Sequence, residues 1–249
     1  EPCLAVCGCS LPCGCRAASG RMMPHCAGRF PAAVFARLPR YSLTTAATRS
    51  CRLQLTVDKN QHTAIISVMQ SQFVTDIINK CYPEDNELRR LLLRHSRDVA
   101  DRALAIVKKH PELGLDAQFV EDCAMLHDIG IFMTDAPSIH CHGTEPYIRH
   151  GICGAAIVRA EGWPDYASVC ERHTGAGISR RQVEEQRLPL PPQDYLPLTL
   201  TEQVVCYADK FFSKSHPDRV RTVEQAAKSL SKFGDEGLGR FMRWASMFE

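Results

Sequence analysis

Four consecutive residues, His127-Asp128-Ile129-Gly130, constrain this chain more than any other stretch. The histidine and aspartate close an apolar-periodic segment, and the glycine ends it. Neighbours on a helix point about 100° apart, so the doublet cannot grip one small ion from one face. It can serve a cluster, with the imidazole on one ion and the two carboxylate oxygens reaching two. Such a cluster needs further donors. His95 lies upstream, and His150, His173 and Asp209 lie downstream. Each falls in its own expected helix, on or beside an apolar stripe.

The rest of the pattern is helical. Ile66, Met69, Phe73 and Ile77 predict a helix over 65–82, stopped by Pro83. Asp85 or Asn86 can cap the next, which runs to about His110. Its stripe, Leu88, Leu91/Leu92, His95, Val99, Ala103 and Ile106, puts His95 in a core position. Asp116 caps a helix facing inward through Val120, Ala124 and His127. A loop over Met133–Thr144 carries His140 and His142. A helix is expected over Glu145–Glu161, where Gly151, Gly154, Ala155 and Ala156 follow His150 and allow close backbone approach. Asp165 caps a short helix with Val169 and His173 on one face, and Thr174-Gly175-Ala176-Gly177 breaks it. A short helix at Arg180–Arg187 precedes a proline-rich linker, Leu188–Pro197. Thr199 and Glu202 form a capping-box pattern for a helix through Val205, Asp209 and Phe212. Two last helices, Arg219–Phe233 and Glu236–Phe248, flank Gly234. No strand alternation stands out. The expectation is an all-α bundle with a metal site in its core.

Composition adds an asymmetry. The net charge is +2. Residues 1–58 hold seven arginines, no lysine and two acids, which leaves 23 basic and 26 acidic residues beyond them. The basic excess therefore lies in the first segment, and the rest gives no case for a nucleic-acid surface. No apolar run approaches the ~18 residues that span a bilayer. Residues 1–60 carry seven of the thirteen cysteines and no helical or strand period. Cys3, Cys7, Cys9, Cys13 and Cys15 could bind a soft metal, and an arginine-rich, acid-poor N-terminus could be a transit peptide. The preferred expectation is an unstructured extension outside the mature protein, with translation starting at Met69, because the first amphipathic pattern begins there. The domain is then 65–249. The six later cysteines sit mostly in helical patterns and read as reduced core residues of a cytoplasmic protein.

Buried histidines and aspartates need partners. Six of them from different helices are hard to satisfy by mutual hydrogen bonds, whereas divalent cations use carboxylates and imidazole lone pairs together. In this H…HD…D order, with the literal HDIG tetrapeptide and the extra pair His150 and His173, the chain resembles the HD-domain superfamily of metal-dependent phosphohydrolases. The resemblance runs from about residue 86 to 214.

By that resemblance, His95, His127 and Asp209 would hold one ion, and His150 and His173 a second, with Asp128 bridging. The cofactor is then a divalent metal, expected as two ions, with Fe, Mn, Co, Ni, Zn and Mg not distinguished. Asp128 and Lys210 are the catalytic candidates. Arg149, Arg172 and Lys210, each beside a ligand, are candidates for substrate phosphate, as is His142 in a loop able to close over the site. The expected activity is phosphohydrolysis of a small phosphorylated metabolite or nucleotide, with no membrane partner and a homo-oligomer left open. The alternative is a di-iron oxygenase of the same fold and ligand set.

Overall fold

The structure, a computed structural model, describes residues 72–249. The extension at 1–60 and the first turns of the 65–82 helix lie outside the described residues. α1 is described over 72–81. α2 (Glu87–Lys109) starts at Asn86, whose side chain accepts the Arg89 N–H. α3 (Ala117–Leu126) starts at Asp116, which accepts the N–H groups of Gln118 and Phe119. Both caps satisfy amides that the first helical turn leaves without partners. α4 (His150–Ala160), α5 (Pro164–Arg172), α6 (Arg180–Glu185), α7 (Leu200–Asp209), α8 (Val223–Leu230) and α9 (Asp235–Phe248) follow. None of the described helices is long and apolar enough to cross a membrane.

Several boundaries differ from the sequence expectation, each for a local reason. The 133–144 loop and the start of the expected 145–161 helix form a three-stranded sheet, ordered β2-β1-β3. β1 (Thr134–Ala136) pairs antiparallel with β2 (Cys141–His142) and parallel with β3 (Glu145–Pro146). Pro146 biases Glu145 toward extended backbone, so α4 begins only at His150 after one 3-10 turn, Tyr147–Arg149. α5 begins with Pro164 at its first position rather than under an Asp165 cap, a place where the missing N–H costs nothing. Thr199 does cap α7, but Glu202 does not complete the box. Its carboxylate accepts the Leu198 N–H at 2.6 Å and faces Arg172 instead. The reciprocal boxes form elsewhere, at Ser179/Gln182 and Thr222/Gln225.

α2 packs along α3 and against α7, α4 packs on α5, and α3 touches both α5 and α7. Tyr207, Phe211, Phe241 and Phe248, all nearly inaccessible, lock α7 to α9, with Tyr207 stacked on Phe241 at 5.0 Å. Such aromatic pairs add ~0.5–1.5 kcal/mol beyond the area they bury. Elsewhere in the core, Tyr82 Oη donates to the Ile129 carbonyl at 2.9 Å and ties the end of α1 to the HDIG turn.

α3 ends at Leu126, with His127 as its C-cap, so Gly130 lies past the helix end rather than stopping it. A Cβ there would stand 2.3 Å from Gly154 N and 2.4 Å from His150 O. Its φ of −88° is open to any residue, so space is what demands glycine. Gly151 likewise presses on the Cys170 carbonyl. These contacts let α4 lie directly on the HDIG turn and on α5, which carries His150 and the C-terminal end of α5 to His127-Asp128.

Candidate metal centre

His127 caps α3 and Asp128 follows it, both fully buried. His95 comes from the middle of α2, His150 from the first residue of α4, His173 from the C-cap of α5 and Asp209 from the last residue of α7. All six lie in the core with under a tenth of their surface exposed. The two Asp128 oxygens divide the histidines between them. Oδ2 lies 3.1 Å from His127 Nε2 and 3.3 Å from His95 Nε2. Oδ1 lies 3.4 Å from His173 Nε2 and 3.5 Å from His150 Nε2. Asp209 Oδ1 joins the first group, 3.0 Å from His95 Nε2 and 3.7 Å from His127 Nε2. In each of the groups His95-His127-Asp128 and Asp128-His150-His173, the donor atoms fall within 4.8 Å of one another.

Backbone carbonyls set the histidine tautomers. Nδ1 of His127 donates to Ala124 O at 2.6 Å, that of His150 to Tyr147 O at 2.7 Å, and that of His173 to Cys170 O at 2.8 Å. Each Nε2 lone pair then points into the cluster, the arrangement a metal-bound histidine needs. It also brings the Nε2 atoms of His150 and His173 to 3.0 Å. Two lone pairs at that distance repel unless something positive lies between them. Among the described residues His127 Nε2 and Asp128 Oδ1 have no hydrogen-bond partner, and Asp128 Oδ2 has only the ion pair with the Lys214 ammonium. Buried acceptors left in this way are costly, and a divalent cation satisfies all of them at once.

The electrostatics divide this set of residues. Burial works against charge on Asp128, yet Lys214 and His127 outweigh it and hold the carboxyl well below its ordinary range. Asp209 is depressed in the same way, chiefly by Lys210 against the cost of burial. Burial and the neighbouring His173 push His150 down to about 3, and burial lowers His173 too. His127 goes the other way. Burial opposes its charge, but Asp128 and Asp209 raise it to about 9. The cluster thus presents ionised carboxylates and, at His150 and His173, neutral imidazoles.

Lysines surround it. Lys210 Nζ lies 2.6 Å from Asp209 Oδ2 and donates to His173 O at 3.1 Å. Lys214, which the sequence did not single out, places Nζ 2.5 Å from Asp128 Oδ2. A cavity of about 540 Å³ reaches the cluster at His95 and Lys214 from the α2 side. A second, of about 360 Å³, reaches it at Asp209 and is lined by Lys210, Lys214 and Arg221, with Tyr147 and Phe233 on its walls. Asp209 is the only acid among that lining. The Tyr147 ring stacks on His150 at 4.7 Å.

The other substrate candidates are not brought to the cluster. Arg172 places Nη1 3.1 Å from both oxygens of Glu202, itself 3% exposed. Arg149 pairs with Glu145 and donates to Pro189 O. Each is claimed by a carboxylate of another element, Arg172 by Glu202 of α7 and Arg149 by Glu145 of β3. His142 lies exposed on β2 and borders a separate cavity of about 460 Å³ with His140, Glu87 and Phe132.

Comparison with known proteins agrees with this geometry. The HD-domain family pattern matches residues 92–213. An uncharacterised protein of Methanocaldococcus jannaschii is 39% identical over 145 residues, 57% of this chain and 78% of the relative. A tRNA (cytidine(56)-2'-O)-methyltransferase of Thermoplasma volcanium is 34% identical over 146 residues, covering 58% of this chain. One of Picrophilus torridus is 35% identical over 136 residues, covering 54%. The chain spans only 38% and 34% of those two methyltransferases. No solved structure matches. The chain belongs to the HD-domain family.

Proposed function

We propose that this protein hydrolyses a phosphate ester or anhydride of a small metabolite or nucleotide at a centre of two divalent ions. The observation that carries the reading is the division of Asp128, one oxygen to His95 and His127 and the other to His150 and His173. His95, His127, Asp209 and Asp128 would hold one ion, and His150, His173 and Asp128 the other. Such ions supply a water activated near neutral pH and positive charge for the phosphoryl oxygens.

The chain's own residues do the rest. The carbonyls of Ala124, Tyr147 and Cys170 keep three imidazoles in the tautomer that presents Nε2. Lys210 and Arg221 place cationic donors along the approach to the cluster, where a phosphate gains charge-assisted hydrogen bonds. Arg221 also donates to the Lys210 carbonyl at 3.1 Å, which steadies the end of α7. This cationic wall favours a phosphorylated substrate over the O2-activating alternative. The methyl-transfer activity in the names of two relatives belongs to proteins of which the chain spans about a third, and it is not carried over.

The test is a screen of phosphorylated metabolites and nucleotides for phosphate release with Mn2+, Fe2+, Co2+, Ni2+, Zn2+ and Mg2+ in turn, with oxygen consumption followed alongside. Release that depends on metal and disappears in Asp128→Asn supports the proposal. Metal-loaded protein that releases no phosphate from any substrate but consumes O2 with an organic partner overturns it.

A further inference from the structure

Lys214 stands where the hydrolytic reading needs an explanation. Its ammonium lies 2.5 Å from Asp128 Oδ2, the oxygen that also faces His95 and His127. Among the described residues no lysine or arginine faces Oδ1 in this way, although His150 and His173 Nε2 meet there. The two halves of the cluster are therefore unequal. Across it, Asp128 and Asp209 are already balanced by Lys210 and Lys214, so an ion entering the Oδ2 half meets a carboxylate that is taken. Lys214 also lies on the non-helical segment after α7 and lines both cavities that reach the centre. A long, unbranched side chain there can leave Asp128 without any helix moving.

We infer that Lys214 is a built-in counter-cation, seated on Asp128 Oδ2 until a metal ion takes that half of the centre, and then turned to the substrate's phosphate in the cavity it lines. The inference rests on the two-ion reading above. It predicts stepwise loading. The first ion enters the His150/His173 half, and the second, at His95/His127, has to displace an ammonium. Once displaced, that ammonium supplies a charge-assisted donor next to the phosphoryl group. Lys210 cannot move in with it, since Asp209 Oδ2 and the His173 carbonyl fix its Nζ in place and leave one N–H to face the approach.

The experiment titrates Mn2+ into chelator-stripped wild-type protein, Lys214→Gln and Lys214→Met by calorimetry, with ions counted by native mass spectrometry. In both variants the second step should tighten by about 5–150-fold, the usual span of a coupling between two bound species, while the first barely changes. The metal-free variants should melt lower than wild type, because Asp128 loses its partner, and Mn2+ should restore them. Orthophosphate should bind the Mn2+-loaded glutamine variant more weakly than wild type, with Lys214→Arg recovering part of the difference. A second step unchanged or weakened in both variants overturns the inference while leaving the two-ion reading standing. Unchanged phosphate affinity overturns its second half. Wild-type protein that takes up no Mn2+ or other divalent ion defeats the underlying reading, and the inference with it.

Discussion

Gly130 joins the fold to the donor cluster, and Gly130→Ala probes both. A Cβ at this position would meet Gly154 N at 2.3 Å, His150 O at 2.4 Å and Gly154 Cα at 2.9 Å, where ordinary contact is 3.4–4 Å. All three are backbone atoms, so no side chain can rotate away. The start of α4 has to retreat by roughly 1 Å, and overpacking of this kind costs ~1–3 kcal/mol. At ~2–4 °C per kcal/mol for a domain of this size, the Tm should fall by roughly 2–12 °C. The retreat also exceeds the ~0.5 Å within which a functional constellation must be held. His150 opens α4, so its Nε2 moves with the helix, whereas His95, His127 and Asp209 sit on other elements. The variant should keep its helical content, lose mainly the ion expected at His150/His173, and lose turnover by about 100-fold, as a 1 Å misplacement can cause. Thermal melts, metal analysis and phosphate release on one preparation check this. Two ions bound at wild-type affinity with an unchanged Tm would refute the claim that close backbone approach builds the second half of the centre.

Three further outcomes are expected. Asp128→Asn keeps the volume but leaves Lys214 buried without its nearest carboxylate. The metal-free protein should lose ~3–5 kcal/mol, and the rise in Tm that Mn2+ gives wild type should vanish. An undiminished rise would remove Asp128 from the ligand set. Arg172→Ala strands the buried Glu202 carboxylate at a cost of roughly 1–3 kcal/mol, discounted because Arg172 is partly exposed. Its Tm should fall with KM unchanged, whereas a raised KM at constant Tm would return Arg172 to the substrate. The pH dependence of the metal-free protein follows from the histidines. His150 and His173 are depressed in the folded chain, so below about pH 6.5 the unfolded chain takes up protons that the fold refuses, and stability falls. His127 is raised to about 9. Its contribution is full below the unfolded value of ~6.5 and is lost as pH rises through 9. Denaturant melts of chelator-treated protein should therefore show greatest stability near pH 6.5, falling to the acid side and again as pH rises toward 9, and a flat profile from pH 6.5 to 5 would contradict the buried neutral imidazoles.

Much of the fold was legible because its signals are local. Asn86, Asp116 and Thr199 cap where a short polar side chain precedes an apolar stripe, and each makes the expected bond to a first-turn N–H. The stripe from Leu92 to Ile106 is buried, with His95 in register. Reading failed where a local rule and a tertiary partner competed. Glu202 satisfies the capping-box spacing, but a buried carboxylate gains more from Arg172 and the Leu198 N–H than from closing its own helix. The 133–146 sheet has strands of two or three residues, too short for alternation to register against a helical background.

The convergence of the six histidines and aspartates was legible for a different reason. A histidine or aspartate on an apolar stripe is conspicuous, since burying it alone is unfavourable, and six such residues leave few ways to satisfy one another. The cations around the set carry no such signal, because a lysine beside a ligand has the same spacing whether it faces the cluster or solvent. Arg149 and Arg172 are next to ligands in sequence and are claimed by Glu145 and Glu202. Lys214 is five residues past Asp209, and a helix continued to Phe212 and beyond would turn it away from the Asp209 face. α7 stops at Asp209, however, and the chain folds back, with Arg221 N bonding Phe211 O at 2.8 Å. That reversal returns Lys214 to Asp128. The six clustered residues are marked by their apolar stripes, whereas the ammonium beside Asp128 is set by where one helix ends.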